Sequence, residues 1–172
     1  MPDVDIDFFD RDGVLNKLVL RDRNYSSPRN TNNFKLYSDA EKAIHDIQEK
    51  GYLAIIVSNQ PDIARGYLKK SVLDEMTKLL FDKLSVDDVF YCMHDDPDVE
   101  ECRKPSPGLI IKAQKKWGID LNQSLMVGDT EKDQGAAKNA GVKFILISRS
   151  YNDHINTSNR ISKLTDIPLY LN

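Results

Sequence analysis

Two carboxylates one residue apart, Asp10 and Asp12, close the apolar run Val4–Phe9, and Gly13 follows them. Left bare, such a pair would repel itself. A bound Mg²⁺ removes that difficulty, because it prefers oxygen ligands and is commonly held by a few carboxylates together with phosphate and water. Asp129, which ends the apolar run Leu125–Gly128, is the natural third ligand. The competing reading makes Asp10 and Asp12 parts of a turn and Asp129 a helix cap. Two more apolar runs lead into polar groups: Ser58-Asn59-Gln60 close Leu53–Ser58, and Arg103-Lys104 lie in the loop beyond Val86–Cys92.

The elements that must carry these groups follow from hydrophobic spacing. With Phe144–Ile147 added, the apolar runs alternate with stretches of helical periodicity, which predicts a parallel sheet with helices on both faces. Ligands of such sheets bind at the carboxyl ends of the strands, so the four polar strand ends should converge on one rim. Four helices are expected. The first is capped by Ser38, with Glu41 three residues on, buries Ala40, Ala43, Ile44 and Ile47, and stops at Gly51. The second begins near Ser71. The third has Ser106 as cap and Pro107 at its first position and ends at Trp117-Gly118, and the fourth runs from about Thr130 to Ala140 before Gly141. Trp117 is expected in the core. The segment Lys17–Leu36 is polar and aperiodic and reads as a long surface loop directly after the first strand, where a functional loop is credible.

Composition narrows the classes. The 172 residues, 40% of them apolar, suit one domain with a real core. Lys plus Arg number 24 against 27 Asp plus Glu, and no basic run marks a nucleic-acid footprint. The N-terminal residues show neither a signal-peptide pattern nor a membrane span, so a cytoplasmic protein is expected. The two cysteines, Cys92 and Cys102, are then expected as reduced thiols or metal ligands.

The segments FFDRDGVLN, IIVSNQ, CRKPSPG and MVGDTEKD resemble, in order and at the expected strand ends, the four signature motifs of the haloacid dehalogenase superfamily. The resemblance spans nearly the whole chain. It implies a Rossmann-like three-layer α/β sandwich without a cap domain, and a Mg²⁺-dependent phosphatase in which Asp10 attacks phosphorus and water then hydrolyses the aspartyl phosphate. Asp12 would protonate the leaving oxygen and later deprotonate the water, with a pKa well above that of Asp10, which the metal would keep ionised. Ser58 and the backbone amides of Arg11 and Asn59 would hold the phosphoryl oxygens, with Gln60 beside them, and Lys104 would offset the negative charge. Asp133 is either an outer contact of the metal or a carboxylate favoured at a helix start.

SNQPDIARG and FYCMH…CRKPSPG resemble the heptose bisphosphate phosphatases, with histidinol-phosphate phosphatases as close relatives. Both groups usually carry a Cys-x-His…Cys-x-Cys zinc loop before the third motif. Here Cys92, His94 and Cys102 match it, while Glu100 stands where a cysteine belongs, so Zn²⁺ would have three such ligands plus Glu100 or water. Pro61-Asp62 and Thr130 also depart from the heptose pattern. Arg65 and Arg103 are the candidate substrate contacts, Arg103 through its planar fork or else as a solvated loop residue. The stretches between motifs are too short for a cap domain, which leaves Lys17–Leu36 as the candidate lid. Its Arg21, Arg23 and Arg29 either meet a distal anion or are solvated. The expected substrate is a small phosphorylated sugar, a heptose (bis)phosphate for surface-glycan precursors first and histidinol phosphate second. Transfer to an acceptor other than water and a non-catalytic binding module are the competing classes. No nucleic-acid or membrane partner is expected, and the chain is expected to be a monomer.

Overall fold

The computed structural model describes residues 5–96 and 101–171. Its centre is a six-stranded sheet built from β1 (Ile6–Phe9), β4 (Leu53–Asn59), β5 (Asp88–Cys92), β6 (Leu125–Gly128), β7 (Lys143–Ile147) and β8 (Arg160–Ile161). The order is β5-β4-β1-β6-β7-β8, and every pairing is parallel. β1 lies in the middle, with Phe8 beside Ile55 of β4 and Met126 of β6.

Strand alternation divides the core. Phe9, Ile56 and Val127 face a cluster completed by α1 (Ala40–Gln48), α2 (Lys70–Leu84) and the 3-10 turn Leu164–Tyr170. Ile6, Phe8, Ile55 and Val57 face the other side, covered by α3 (Gly108–Trp117) and α4 (Glu131–Ala140). This is the three-layer α/β arrangement expected from the sequence, and among the described residues no helix is long and apolar enough to cross a membrane.

Several details differ. Lys17–Leu36 is not irregular throughout: β2 (Val19–Arg21) and β3 (Asn24–Ser26) form an antiparallel hairpin. The first helix is entered through Asp39, whose Oδ2 accepts the Leu164 amide at 2.8 Å and so fastens the helix start to the C-terminal turn. Pro107 precedes α3 rather than opening it, and Ser106 donates to the Glu101 carbonyl. Trp117 is only partly buried, and its indole N–H donates to Asp88 at 2.8 Å. The fourth helix begins as expected, with a reciprocal cap between Thr130 and Asp133. Two-residue β8 carries too little pattern to be visible in the sequence.

Candidate active site

A cleft of about 350 Å³ opens at the carboxyl ends of the strands. Asp10, Asp12, Asn59, Gln60, Arg65, Arg103, Lys104 and Asp129 all line it. Ser58 lies just beneath, its hydroxyl accepting from Gln60 Nε2 at 3.0 Å. The chain therefore gathers the polar strand ends on one rim.

Lys104 is the centre of charge. Its Nζ donates to Asp10 Oδ1 at 2.8 Å, Asp133 Oδ1 at 2.7 Å and the Val57 carbonyl at 2.9 Å. Burial alone would push its pKa down, but Asp10 and Asp133 outweigh that and raise it, so the lysine is a fixed cation. Asn59 sets its backbone, accepting the Lys104 amide at 2.9 Å and donating to the Lys104 carbonyl at 3.1 Å.

Asp10, Asp129 and Asp133 offer oxygens within 4.8 Å of one another and are, among the described residues, the one acidic group able to hold a metal ion. Burial and then the Asp133 charge push Asp10 up to about 7, against the lowering effect of Lys104. Burial, followed by Asp10 and Asp133, raises Asp129 well above the usual carboxylate range. Crowded carboxylates forced toward protonation are what a divalent cation relieves. The three are not equivalent. Both oxygens of Asp133 are engaged, Oδ1 by Lys104 and Oδ2 by the amides of Asp129 and Thr130 and the Thr130 hydroxyl. Asp129 Oδ1, by contrast, is buried without a hydrogen-bond partner. A hard cation fits that atom together with Asp10, and Asp133 fits an outer position.

Asp12 departs from expectation. Its carboxylate is outside the acidic group and is held by Asn16 at 2.9 Å, Gln60 at 2.7 Å and Arg11 at 2.9 and 3.1 Å. Burial would raise its pKa, but Arg11 and these hydrogen bonds hold it below the usual range. The expectation that Asp12 lies well above Asp10 supposes a metal that keeps Asp10 ionised, whereas the contacts around Asp12 by themselves favour its ionised form. The cause is Arg11, whose fully buried side chain turns away from the cleft between the rings of Phe34 and Tyr91.

Two glycines make the crowding feasible. A Cβ on Gly13, whose φ is +85°, would lie 2.0 Å from Asp129 Oδ2, and one on Gly128 would lie 2.2 Å from the Asp133 Cβ.

The rim carries the substrate-facing candidates. Arg65 meets Asp95 with Nε at 2.9 Å and Nη2 at 2.6 Å, and Arg103 meets the same carboxylate at 2.7 Å. These bonds, Arg65 first, pull Asp95 down to about 2. Lys132 stands beside them in the cleft wall, its pKa lowered by burial and then by Arg103 and Arg65. Three residues beyond β3, Arg29 reaches across to Asp62 at 2.7 Å and covers the Tyr67 ring at 4.2 Å, so the candidate lid segment is tied to the loop after β4. Arg21 instead bonds within its own hairpin, to the Ser27 carbonyl at 2.7 Å.

The zinc expectation is overturned. Cys92 and Cys102 are joined in a disulfide with their Cα atoms 5.5 Å apart, and sulfurs bonded to each other are not thiolate ligands. His94 therefore has no cysteine pair with which to bind zinc, and Glu100 lies outside the described residues. The same bond replaces the expected reduced thiols.

Sequence reasoning missed Tyr151 and Asn152, which follow β7. Tyr151 donates to Asp129 Oδ2, and Asn152 Nδ2 donates to the Asp129 carbonyl at 2.9 Å. The signal was available, since a fifth parallel strand must deliver its following loop to the same edge.

A family model described as haloacid dehalogenase-like hydrolase matches residues 9–147. The D-glycero-alpha-D-manno-heptose-1,7-bisphosphate 7-phosphatase of Photorhabdus laumondii is 38% identical over 151 residues, 81% of this chain and 79% of that protein. The D-glycero-beta-D-manno-heptose-1,7-bisphosphate 7-phosphatase of Haemophilus ducreyi is 36% identical over 155 residues, covering 83% and 82%. Among solved structures, the D,D-heptose 1,7-bisphosphate phosphatase of B. bronchiseptica, complexed with magnesium and phosphate, superposes with a TM-score of 0.82 over 96% of both chains at 22% identity, a likeness of fold.

Proposed function

The chain belongs to the haloacid dehalogenase-like hydrolase family, and from that premise we propose that it is a Mg²⁺-dependent phosphomonoesterase acting on a heptose bisphosphate. The observation that carries the reading is the meeting of Asp10, the Lys104 ammonium and the unpartnered Asp129 oxygen at the sheet's carboxyl edge.

Asp10 is the nucleophile. Its carboxylate oxygen bonds to phosphorus as the sugar–oxygen bond to phosphorus breaks, giving an aspartyl phosphate that water then hydrolyses. Lys104 stays protonated throughout and offsets the charge that accumulates on Asp10 and the transferring group. Ser58 and the backbone amides of Arg11 and Asn59 receive the phosphoryl oxygens. Asp12 carries the proton to the leaving oxygen and takes one from the attacking water. Because Arg11, Asn16 and Gln60 hold it ionised at rest, its acid role requires it to leave the Arg11 contact and take up a proton from solvent, which it then passes to the leaving oxygen. Gln60 is assigned to holding Asp12 and Ser58 rather than to the sugar. Asp10 and Asp129 would hold Mg²⁺, with Asp133 in an outer position, and the bound ion would supply charge neutralisation at the phosphoryl oxygens.

A bisphosphate is favoured over a monophosphate by the rim. Arg65, Arg103, Lys132 and Arg29 stand around the mouth of the same cleft, a setting suited to a second anionic group. A cytoplasmic location is compatible with the disulfide, because its buried cysteines are shielded from thiol exchange.

Phosphate release with Mg²⁺ across heptose bisphosphates of both anomers, histidinol phosphate, other sugar phosphates and nucleotides tests the reading. A strong preference for a heptose bisphosphate supports it. Preference for histidinol phosphate would move the substrate to the neighbouring branch, and no release from any compound would favour transfer chemistry or a binding role.

A further inference from the structure

The loop after β7 grips the site at three points. Arg149 Nε donates to the Gly13 carbonyl at 2.8 Å, Asn152 Nδ2 to the Asp129 carbonyl at 2.9 Å, and the Tyr151 hydroxyl to Asp129 Oδ2. Asn152 also returns to its own strand, at the Ile147 carbonyl 2.9 Å away, so the loop is braced where it acts. The phenol occupies one oxygen of Asp129 and leaves the other, Oδ1, buried and without a hydrogen bond. There is no room for a side chain between these groups and the first motif, because a Cβ on Gly13 would also lie 2.5 Å from the Tyr151 hydroxyl. On the outer side the Tyr25 ring of the β2–β3 hairpin packs on the Tyr151 ring, centroid to centroid 4.9 Å. Tyr25 is itself half exposed and lines the cleft.

We propose that Tyr151 is a positioning residue that makes Asp129 a one-oxygen ligand, and that Tyr25 couples the hairpin lid to it. The proposal rests on Asp129 being a metal ligand, as in the function above. A carboxylate free to rotate offers a cation either oxygen or both. With Oδ2 donated to by a phenol, Oδ1 is the oxygen left unpartnered and favoured for a cation. Outer partners that fix a ligand in this way control metal affinity. A lid whose aromatic side chain leans on that partner then has a physical route to the ligand, so an opened hairpin and a loosened Asp129 should go together.

The test is Mn²⁺ binding to the intact protein, followed by electron paramagnetic resonance without substrate, so that turnover plays no part. Tyr151→Phe keeps the ring and removes the hydroxyl, and its melting curve should match wild type. Its Mn²⁺ dissociation constant should rise by about 10-fold, whereas a value within about twofold of wild type would overturn the positioning role. Tyr25→Ala should weaken Mn²⁺ in the same direction by less and Tyr25→Phe should not, and an unchanged Tyr25→Ala would remove the lid from the coupling. Asp129→Asn separates the two levels. Unaltered Mn²⁺ binding in that variant would defeat the metal assignment itself, while a loss there with no effect in Tyr151→Phe would defeat only the role of the phenol.

Discussion

The guanidinium of Arg11 folds back onto the carboxylate of its chain neighbour Asp12, at 2.9 and 3.1 Å, inside the protein rather than toward the cleft. That ion pair sets the resting charge of the group assigned to proton transfer. It also makes Arg11 a structural liability, because a buried carboxylate left without its cation is costly.

Arg11→Met should therefore lower stability by about 3 kcal/mol or more in urea unfolding. It should also raise the pKa of Asp12, which Arg11 now holds down. In the proposed mechanism the acid form of Asp12 releases the leaving oxygen, so the rate should fall as pH rises through its pKa. In the variant that fall should move to higher pH, and an unmoved alkaline limb would exclude Asp12 as the acid.

Asp10→Asn should abolish turnover while the far-UV spectrum and melting curve stay close to wild type, since Asn can still accept from Lys104 at the same position. Near-normal phosphate release would remove Asp10 from the nucleophile role. In the wild type, EDTA should stop turnover and Mg²⁺ restore it. An enzyme indifferent to both would contradict the acidic group as a metal site.

Asp7 is buried in β1, and neither of its oxygens has a hydrogen-bond partner. Burial, with a smaller contribution from Asp5, pushes it from 3.8 up to about 8. A pKa raised on folding means that the folded state keeps a proton that the unfolded chain releases above about pH 4. The stability this group contributes is thus complete below about pH 4 and drains away as pH rises toward 8, by on the order of 6 kcal/mol at most. Asp7→Val should be more stable than wild type at pH 8 and show a flatter dependence between pH 5 and 8 in urea titrations. Equal slopes would show that Asp7 does not carry the effect.

Reduction, or Cys92→Ser with Cys102→Ser, opens a link between cysteines ten residues apart and should cost roughly 2–3 kcal/mol. Thiol titration of the unreduced, denatured protein should find no free sulfhydryl, and elemental analysis should find no zinc. Two titrating thiols with one zinc per chain would reverse the assignment.

Where the sequence was readable, the reason is local. Asp10, Asp12 and Gly13 directly follow a short apolar run, and strand alternation plus the carboxyl-edge rule is enough to bring them to Ser58, Lys104 and Asp129. The hairpin escaped notice because its turn is made by Asp22 and Arg23 at φ +47° and +66°, without the glycine that normally marks such a turn. Asp133 could be seen as a cap for α4 from Thr130 three residues before it. Its bond to Lys104, 29 residues away in sequence, depends on a loop meeting the first turn of α4 and leaves no trace in spacing. Cys92 and Cys102 show the same limit, since their spacing suits a metal loop and a disulfide alike.

Arg65 and Arg103 share one carboxylate, Asp95, at the mouth of the cleft. An incoming anion that uses both arginines must evict that side chain, so docking there is an exchange of one anion for another and its free energy is a difference between two similar contacts. Such a rim orders its arginines in advance yet holds the resting substrate loosely. Under the proposed function it would leave more of the interaction to be realised as the phosphoryl group moves, and would let the product go as Asp95 takes the arginines back.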